Sequence, residues 1–270
     1  MTTLKALFSY QRRARSAYFG QNGRPAPANM ALVGNPGVGK SLLTFVLHQT
    51  VAAVLEVEFN SDRIFEMNGD FAFMDGYGSS QHLGITVDEW ASMSKDKIDA
   101  KSVSNLIKLT GEAPFQAPMA DINKMGTQFV SQLSTVLTTN APDLGFVGVM
   151  TNPGAMARRF TRIEVKVKPE YLVPDTCRIR SELLVNTPMD AEYWDGEVYV
   201  DAVKQADVMA WRCVGKWSSL NQLIGLITPI IRKKFMVGDQ MAQNRSKFEE
   251  ALQKCASEWA TKASESQPAY

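Results

Sequence analysis

The sequence predicts an α/β fold: a central, mostly parallel sheet flanked by helices, with a mixed strand and helix extension toward the C-terminal end. Three stretches predict it. The apolar run Met30 to Val33 passes through a glycine-rich turn into the helical spacing of Leu42, Leu43, Val46 and Leu47. A second apolar run, Leu83-Gly84-Ile85-Thr86-Val87, delivers Asp88-Glu89 at its carboxyl end, and the β-branched run from Thr135 stops at Asn140. Strands that release polar residues at one end are the pattern of a sheet whose carboxyl edge carries a site.

The turn reads Gly34-Asn35-Pro36-Gly37-Val38-Gly39-Lys40-Ser41. Between a strand and a helix this spacing describes a phosphate-binding loop. Gly34, Gly37 and Gly39 permit backbone angles that aim successive N–H groups inward at a helix N-terminus, where a polyphosphate is bound. Lys40 would reach the outer phosphates, and the Ser41 hydroxyl would ligate Mg²⁺. An ordinary glycine turn ahead of a helix is the competing reading, but all the fixed positions and both flanking elements agree with the phosphate loop.

Ahead of this loop, Leu4 to Tyr18 has helical spacing with a basic face, and Gly20 to Pro27 reads as a linker. Arg12, Arg13 and Arg15 are either a solvated face or phosphate contacts. The loop's helix continues to about Val54. Arg63 to Met67 and His82 to Val87 read as strands, with Asp75-Gly76-Tyr77-Gly78 turning the chain between them. Asp88 would hold Mg²⁺ through water and Glu89 would polarise an attacking water; an exposed acidic turn is the bland reading. Asp96 to Leu109 reads as a helix ended by Gly111 and Pro114. Asn140 either bonds the terminal phosphate or the attacking water, or simply opens the turn at Ala141-Pro142. A short helical segment then brings in Arg158-Arg159, and Thr161 to Val167 is a further strand. These arginines are either surface charges or a finger that neutralises charge on a neighbouring copy's nucleotide.

Composition bounds the function. A chain of 270 residues with 45% hydrophobic content supports a large α/β domain with an appendage. Its 29 basic and 28 acidic residues leave a formal charge of +1, so any nucleic-acid contact is a local patch. Cys177, Cys213 and Cys255 lie far apart with only His48 and His82 to help. They read as reduced core thiols of a cytosolic protein, not a zinc site or a disulfide framework. No apolar run is long enough to span a membrane or to form a signal peptide.

Taken in succession, these motifs resemble those of the superfamily 3 helicases of positive-strand RNA viruses, the 2C-like ATPases of picorna-like viruses. The resemblance covers roughly Ala31 to Val167. Its first motif is Gly34 to Ser41, its second Asp88-Glu89, approached through Asp75-Gly76-Tyr77 and Gln81. Pro118-Met119-Ala120 before Lys124 and Gly126 resembles a further signature, Thr138-Thr139-Asn140 the sensor, and Ala157-Arg158-Arg159-Phe160 the arginine motif. The resemblance implies an AAA+-like P-loop ATPase core that binds ATP and Mg²⁺ between subunits of a ring, usually a hexamer. It also implies action on single-stranded RNA with other viral replication proteins, in the host cytoplasm or at membrane-bound replication sites. Glu89 stands where the family carries a second Asp. The membrane-binding helix and cysteine-rich element of some relatives are not seen in this sequence, so membrane association would need a segment not visible here. The chain is expected to be a soluble fragment of a longer polyprotein product.

The expected domains are an N-terminal helix and linker over residues 1–28, the ATPase core over 29–168 and an extension over 169–270. Within the extension, Tyr171 to Val185 and Val198 to Val203 suggest short strands. Trp194, Trp211 and Trp217 supply apolar surface or a base-stacking face. Leu220, Leu223, Ile224, Ile227 and Ile231 mark a helix interrupted at Pro229, and a second helix is expected from Gln240 to Lys262.

The leading functional reading is an ATP-hydrolysing RNA helicase or RNA-remodelling enzyme, with Lys95, Lys97, Lys101 and Lys124 available to RNA phosphates. An ATP-regulated RNA chaperone or assembly scaffold is the alternative. A GTPase-like switch is disfavoured because Asn123-Lys124-Met125-Gly126 lacks the guanine-reading Asp.

Overall fold

A computed structural model of the chain describes residues 24, 26–69, 72–91, 100–122, 128–147, 149–205 and 208–237. Its centre is a sheet of eight strands. In chain order the strands are β1 (Ala28–Val33), β2 (Ile64–Asn68), β3 (Gly84–Asp88), β4 (Ser134–Thr139), β5 (Thr161–Glu164), β6 (Lys166–Val167), β7 (Trp194–Gln205) and β8 (Val208–Trp217). Spatially they run β2-β3-β4-β1-β5-β7-β6, with β8 paired to β7. The first five are mutually parallel. From β5 onward the pairing turns antiparallel, and the long β7–β8 arm extends the sheet past residue 168.

β1 is buried along its whole length because both faces of the sheet are covered. Ala31 and Val33 face one core with Ile85, Val87, Trp90 and Leu106. Met30 and Leu32 face the other with Leu43, Leu47, Trp194 and Leu223, as the two-residue period of a strand requires. The helices are α1 (Lys40–Val54), α2 (Ala100–Leu109), α3 (Pro153–Ala157), α4 (Ser181–Val185) and α5 (220–237). α1 lays Leu43, Leu47 and Val51 on the second core. No described helix is long and apolar enough to cross a membrane.

Several expectations change. The strand from Thr161 to Val167 is split at Val165 into β5 and β6, although the Val165 N–H still continues the β1–β5 pairing by donating to Val33 O at 2.8 Å. Tyr171 to Val185 forms no named strand. It is a 3₁₀ turn at Pro169–Tyr171, an isolated bridge between Leu172 and Ile179, and α4. Val198 to Val203 is only the middle of β7, and β8 was not anticipated. Pro229 does not interrupt α5. Gly225, four residues back, is exposed, so the carbonyl left without a donor is accessible to water. Cys177 and Cys213 are exposed free thiols, not core residues, because each lies on the outer side of the C-terminal elements. Trp194 and Trp217 are core side chains. Leu4 to Tyr18, Lys95, Lys97, Lys124, Gly126, Cys255 and Gln240 to Lys262 lie outside the described residues.

Candidate nucleotide site

The register of the parallel strands brings the singled-out residues to one edge. Val33 pairs with Thr139, and Asn68 with Asp88, so Gly34, Asp88 and Asn140 all leave the sheet at its carboxyl side. Gly34 can follow β1 only because it lacks a side chain; a Cβ there would stand 2.5 Å from Val165 O. Gly37 and Gly39 take φ of 78° and 89°, the left-handed region. Gly39 is the N-cap of α1, with no side-chain cap and no acidic residue in the first turn. The first N–H groups of α1 therefore meet no competing carboxylate, which suits an anion at this helix end. Asn35, Pro36, Gly37 and Ser41 are exposed, while Val38 is buried and anchors the loop.

Lys40 is half-buried, and its ammonium donates to Gly34 O at 2.7 Å, Asn35 O at 3.0 Å and Asn140 Oδ1 at 2.8 Å. Burial lowers its pKa, and Asp88 and Glu89 oppose that shift, so both acids lie within electrostatic reach of the ammonium. Asn140 thus sits against Lys40.

The acidic pair is held from the neighbouring strand. The Thr138 hydroxyl donates to Asp88 Oδ1 and accepts the Glu89 N–H at 2.9 Å, while Thr138 O accepts the Trp90 N–H at 2.9 Å. Glu89 has φ of 52°, an uncommon conformation for a residue with a side chain, and it leaves that side chain exposed. Trp90 fixes the turn beyond it, fully buried with Nε1 donating to Leu144 O at 2.9 Å. Thr138, which the sequence marks only as part of the sensor motif, is a positioning residue for both acids.

The approach motifs lie farther back. Asp75 Oδ1 accepts the Ala120 N–H at 3.0 Å, and Tyr77 Oη, in the core, accepts the Ser131 N–H at 3.1 Å. Gln81 is exposed.

Arg158 and Arg159 do not join this cluster. They precede β5, whose first residue Thr161 pairs with Met30, so they lie toward the amino edge of the sheet. There Arg159 donates to Ile107 O at 2.8 Å. Both line a cavity of about 1100 Å³ with Arg24, Arg212, Lys233 and Lys234. Burial pushes the Lys234 pKa down to about 8, with Arg159 acting the same way and Glu112 against it.

The residues present fit a nucleotide triphosphate with a divalent cation: a glycine cradle at a bare helix end, an ammonium, and the hard oxygen donors Ser41 and Asp88. Among the described residues no cluster of three or more His, Cys, Asp or Glu could hold a metal by itself. A cation here would draw ligands from the phosphates as well.

Residues 30–141 match the RNA helicase family. The chain is 31% identical over 146 residues to the genome polyprotein of Cosavirus A, covering 54% of this chain and 6% of the polyprotein. It is 33% identical over 119 residues to that of Human klassevirus 1, covering 44% and 5%. It is also 33% identical over 151 residues to that of Human rhinovirus A serotype 89, covering 56% and 6%. The chain thus spans only about 6% of the length of such relatives. With this sheet order, glycine loop and strand-end acids, residues 30–141 are an RNA helicase domain of the superfamily 3, 2C-like kind.

Proposed function

We propose that the chain is an ATP-hydrolysing RNA helicase or RNA-remodelling ATPase that acts in viral genome replication as a ring of identical copies, a hexamer in the family it resembles. The observation that carries this reading is the convergence of Lys40, Asn140, Asp88 and Glu89 on one sheet edge, with Arg158 and Arg159 at the other. In the proposed site the Gly37, Val38 and Gly39 N–H groups and Lys40 bind the phosphates. Asn140 orients the terminal group, and Glu89 accepts a proton from the attacking water. A divalent cation held by Ser41 and Asp88 would supply charge neutralisation on the phosphate oxygens.

The arginine pair cannot reach its own Lys40 around the sheet, so its partner in this scheme is the nucleotide of the next copy. Head-to-tail association of that kind closes into a ring when the rotation permits. The proposed partners are single-stranded RNA, bound through phosphate contacts, and other replication proteins of the virus. The proposed location is the host cytoplasm, at membrane-bound replication sites. Mixing tests the shared site: Lys40→Ala copies and Arg158→Ala/Arg159→Ala copies, each inactive alone, regain partial ATP turnover when combined. Absence of rescue, or full activity of isolated single copies, would reject it.

A further inference from the structure

One side of the phosphate loop, residues 37–39, is packed by a segment of its own chain that lies outside the helicase match. Between β6 and β7 the chain folds back so that the Leu172 to Ile179 bridge and α4 rest on residues 37–39. Ile179, only 5% exposed, donates its N–H to Gly37 O at 3.0 Å. Trp194, fully buried, donates Nε1 to Val38 O at 2.6 Å. A Cβ on Gly39 would meet Trp194 at 3.2 Å and Leu184 at 3.4 Å.

Arg178 is the residue this anchoring presents to the loop. Its aliphatic stem crosses Gly37 so closely that a Cβ on that glycine would lie 2.7 Å from Cγ and 3.3 Å from Cδ. The bend that carries it is set by its own backbone: the Arg178 N–H donates to Thr176 Oγ1 at 3.1 Å, and its carbonyl accepts the Val173 N–H at 2.9 Å. Arg178 is exposed, and its guanidinium has no hydrogen-bond or ion-pair partner among the described residues. Arg180, two residues on, has its Nε engaged by Leu172 O at 3.2 Å. The guanidinium begins one bond beyond Cδ, next to the glycine whose N–H would face a phosphate.

We propose that Arg178 is a same-chain phosphate contact for the nucleoside triphosphate, distinct from the arginines at the far sheet edge. The assignment rests on the reading of Gly34 to Ser41 as a nucleotide site. A guanidinium offers paired donors to a phosphate, and the packed stem removes much of the side-chain freedom that such a contact would otherwise cost. It also makes the segment between β6 and β7 part of the site.

The test is equilibrium binding of ribose-labelled fluorescent ATP and AMP to Arg178→Gln, Arg178→Lys and Lys40→Ala proteins, at concentrations where copies are unassociated. Gln keeps the stem over Gly37 and removes the charge. The expected result is that Arg178→Gln weakens ATP binding by about tenfold or more and AMP binding much less, while Lys restores part of the loss. Wild-type ATP affinity in Arg178→Gln, or equal losses for ATP and AMP, would overturn the assignment. Lys40→Ala separates the two levels. If it too leaves ATP binding intact, the nucleotide site itself is misplaced; if it weakens binding where Arg178→Gln does not, only the Arg178 contact fails.

Discussion

The Thr138 hydroxyl and the Asp88 carboxylate are joined across neighbouring strands, with the same oxygen of Thr138 receiving the Glu89 N–H. One threonine on β4 therefore sets the orientation of both acids at the end of β3. Thr138→Val keeps the β-branched shape but frees both. ATP turnover is expected to fall about 10- to 100-fold, the usual cost of losing a supporting hydrogen bond, with little change in KM. Thr138→Ser should recover most of the rate. Steady-state phosphate release measures this, and unchanged kcat in the valine variant would remove Thr138 from the site.

Arg24 is a buried clamp between α2 and the approach to β4. It donates to Lys108 O, Leu109 O and Gln132 Oε1, each at 2.6 Å, and to Val130 O at 3.2 Å. Burial pushes its pKa down to about 10, partly opposed by Tyr77. Arg24→Ala removes one donor from each of three carbonyls and from Gln132 Oε1, although Leu109 O keeps Gln132 Nε2 and Lys108 O keeps the Gly111 N–H, and should cost about 2–3 kcal/mol of folding stability. Arg24→Lys should recover little, since a single ammonium cannot span all four acceptors. A denaturant midpoint within error of wild type for the alanine variant would contradict the clamp.

Much of this was legible in the sequence, and the reasons are local. Gly37 and Gly39 stand out because the left-handed backbone at φ of 78° and 89° favours glycine. β3 and β4 stand out because a strand covered on both faces is a continuous apolar or β-branched run. The β7–β8 arm was largely hidden. Asp195, Glu197 and Asp201 interleave with its apolar residues, and irregularities at Val198/Tyr199 and Val200/Val203 shift the alternation that would mark a strand. Arg178 was hidden for another reason: one arginine on an exposed bend has no periodicity, and only the fold brings it against Gly37.

His48 and Gly84 are fitted to each other. A Cβ on Gly84 would lie 2.6 Å from His48 Nδ1, inside a fully buried ring with no free end to move. Gly84→Ala should therefore destabilise the protein by about 1–3 kcal/mol through overpacking, even though alanine suits a strand better than glycine. Calorimetry reads the result as a lowered Tm. A variant as stable as wild type would mean that β3 and α1 can separate without cost.

The same histidine makes stability pH-dependent. His48 Nδ1 meets Ser134 Oγ at 2.7 Å and Nε2 meets Thr86 Oγ1 at 3.0 Å, and burial pushes its pKa down to about 3. Above the ordinary histidine pKa both folded and unfolded chains are neutral there, and the group has no effect. Below it the unfolded chain takes up the proton first, so stability falls by about 1.4 kcal/mol per pH unit as the pH drops from about 6.5 toward 3. His48→Gln should show a correspondingly flatter profile over pH 5 to 6.5 in urea titrations. Identical profiles would show that the imidazole is protonated in place.

The middle position of β1 has a consequence for how the chain comes together. Its two hydrogen-bonded neighbours, β4 and β5, are each about a hundred residues or more downstream. During synthesis the phosphate loop and α1 emerge while the strand that supports them has neither flank. A strand with apolar side chains on both faces must wait for Ser134–Thr139, and closing so long a loop is slow. The nascent chain thus carries this apolar strand unsheltered while about a hundred further residues are made, the interval in which a chaperone or a wrong strand partner can reach it.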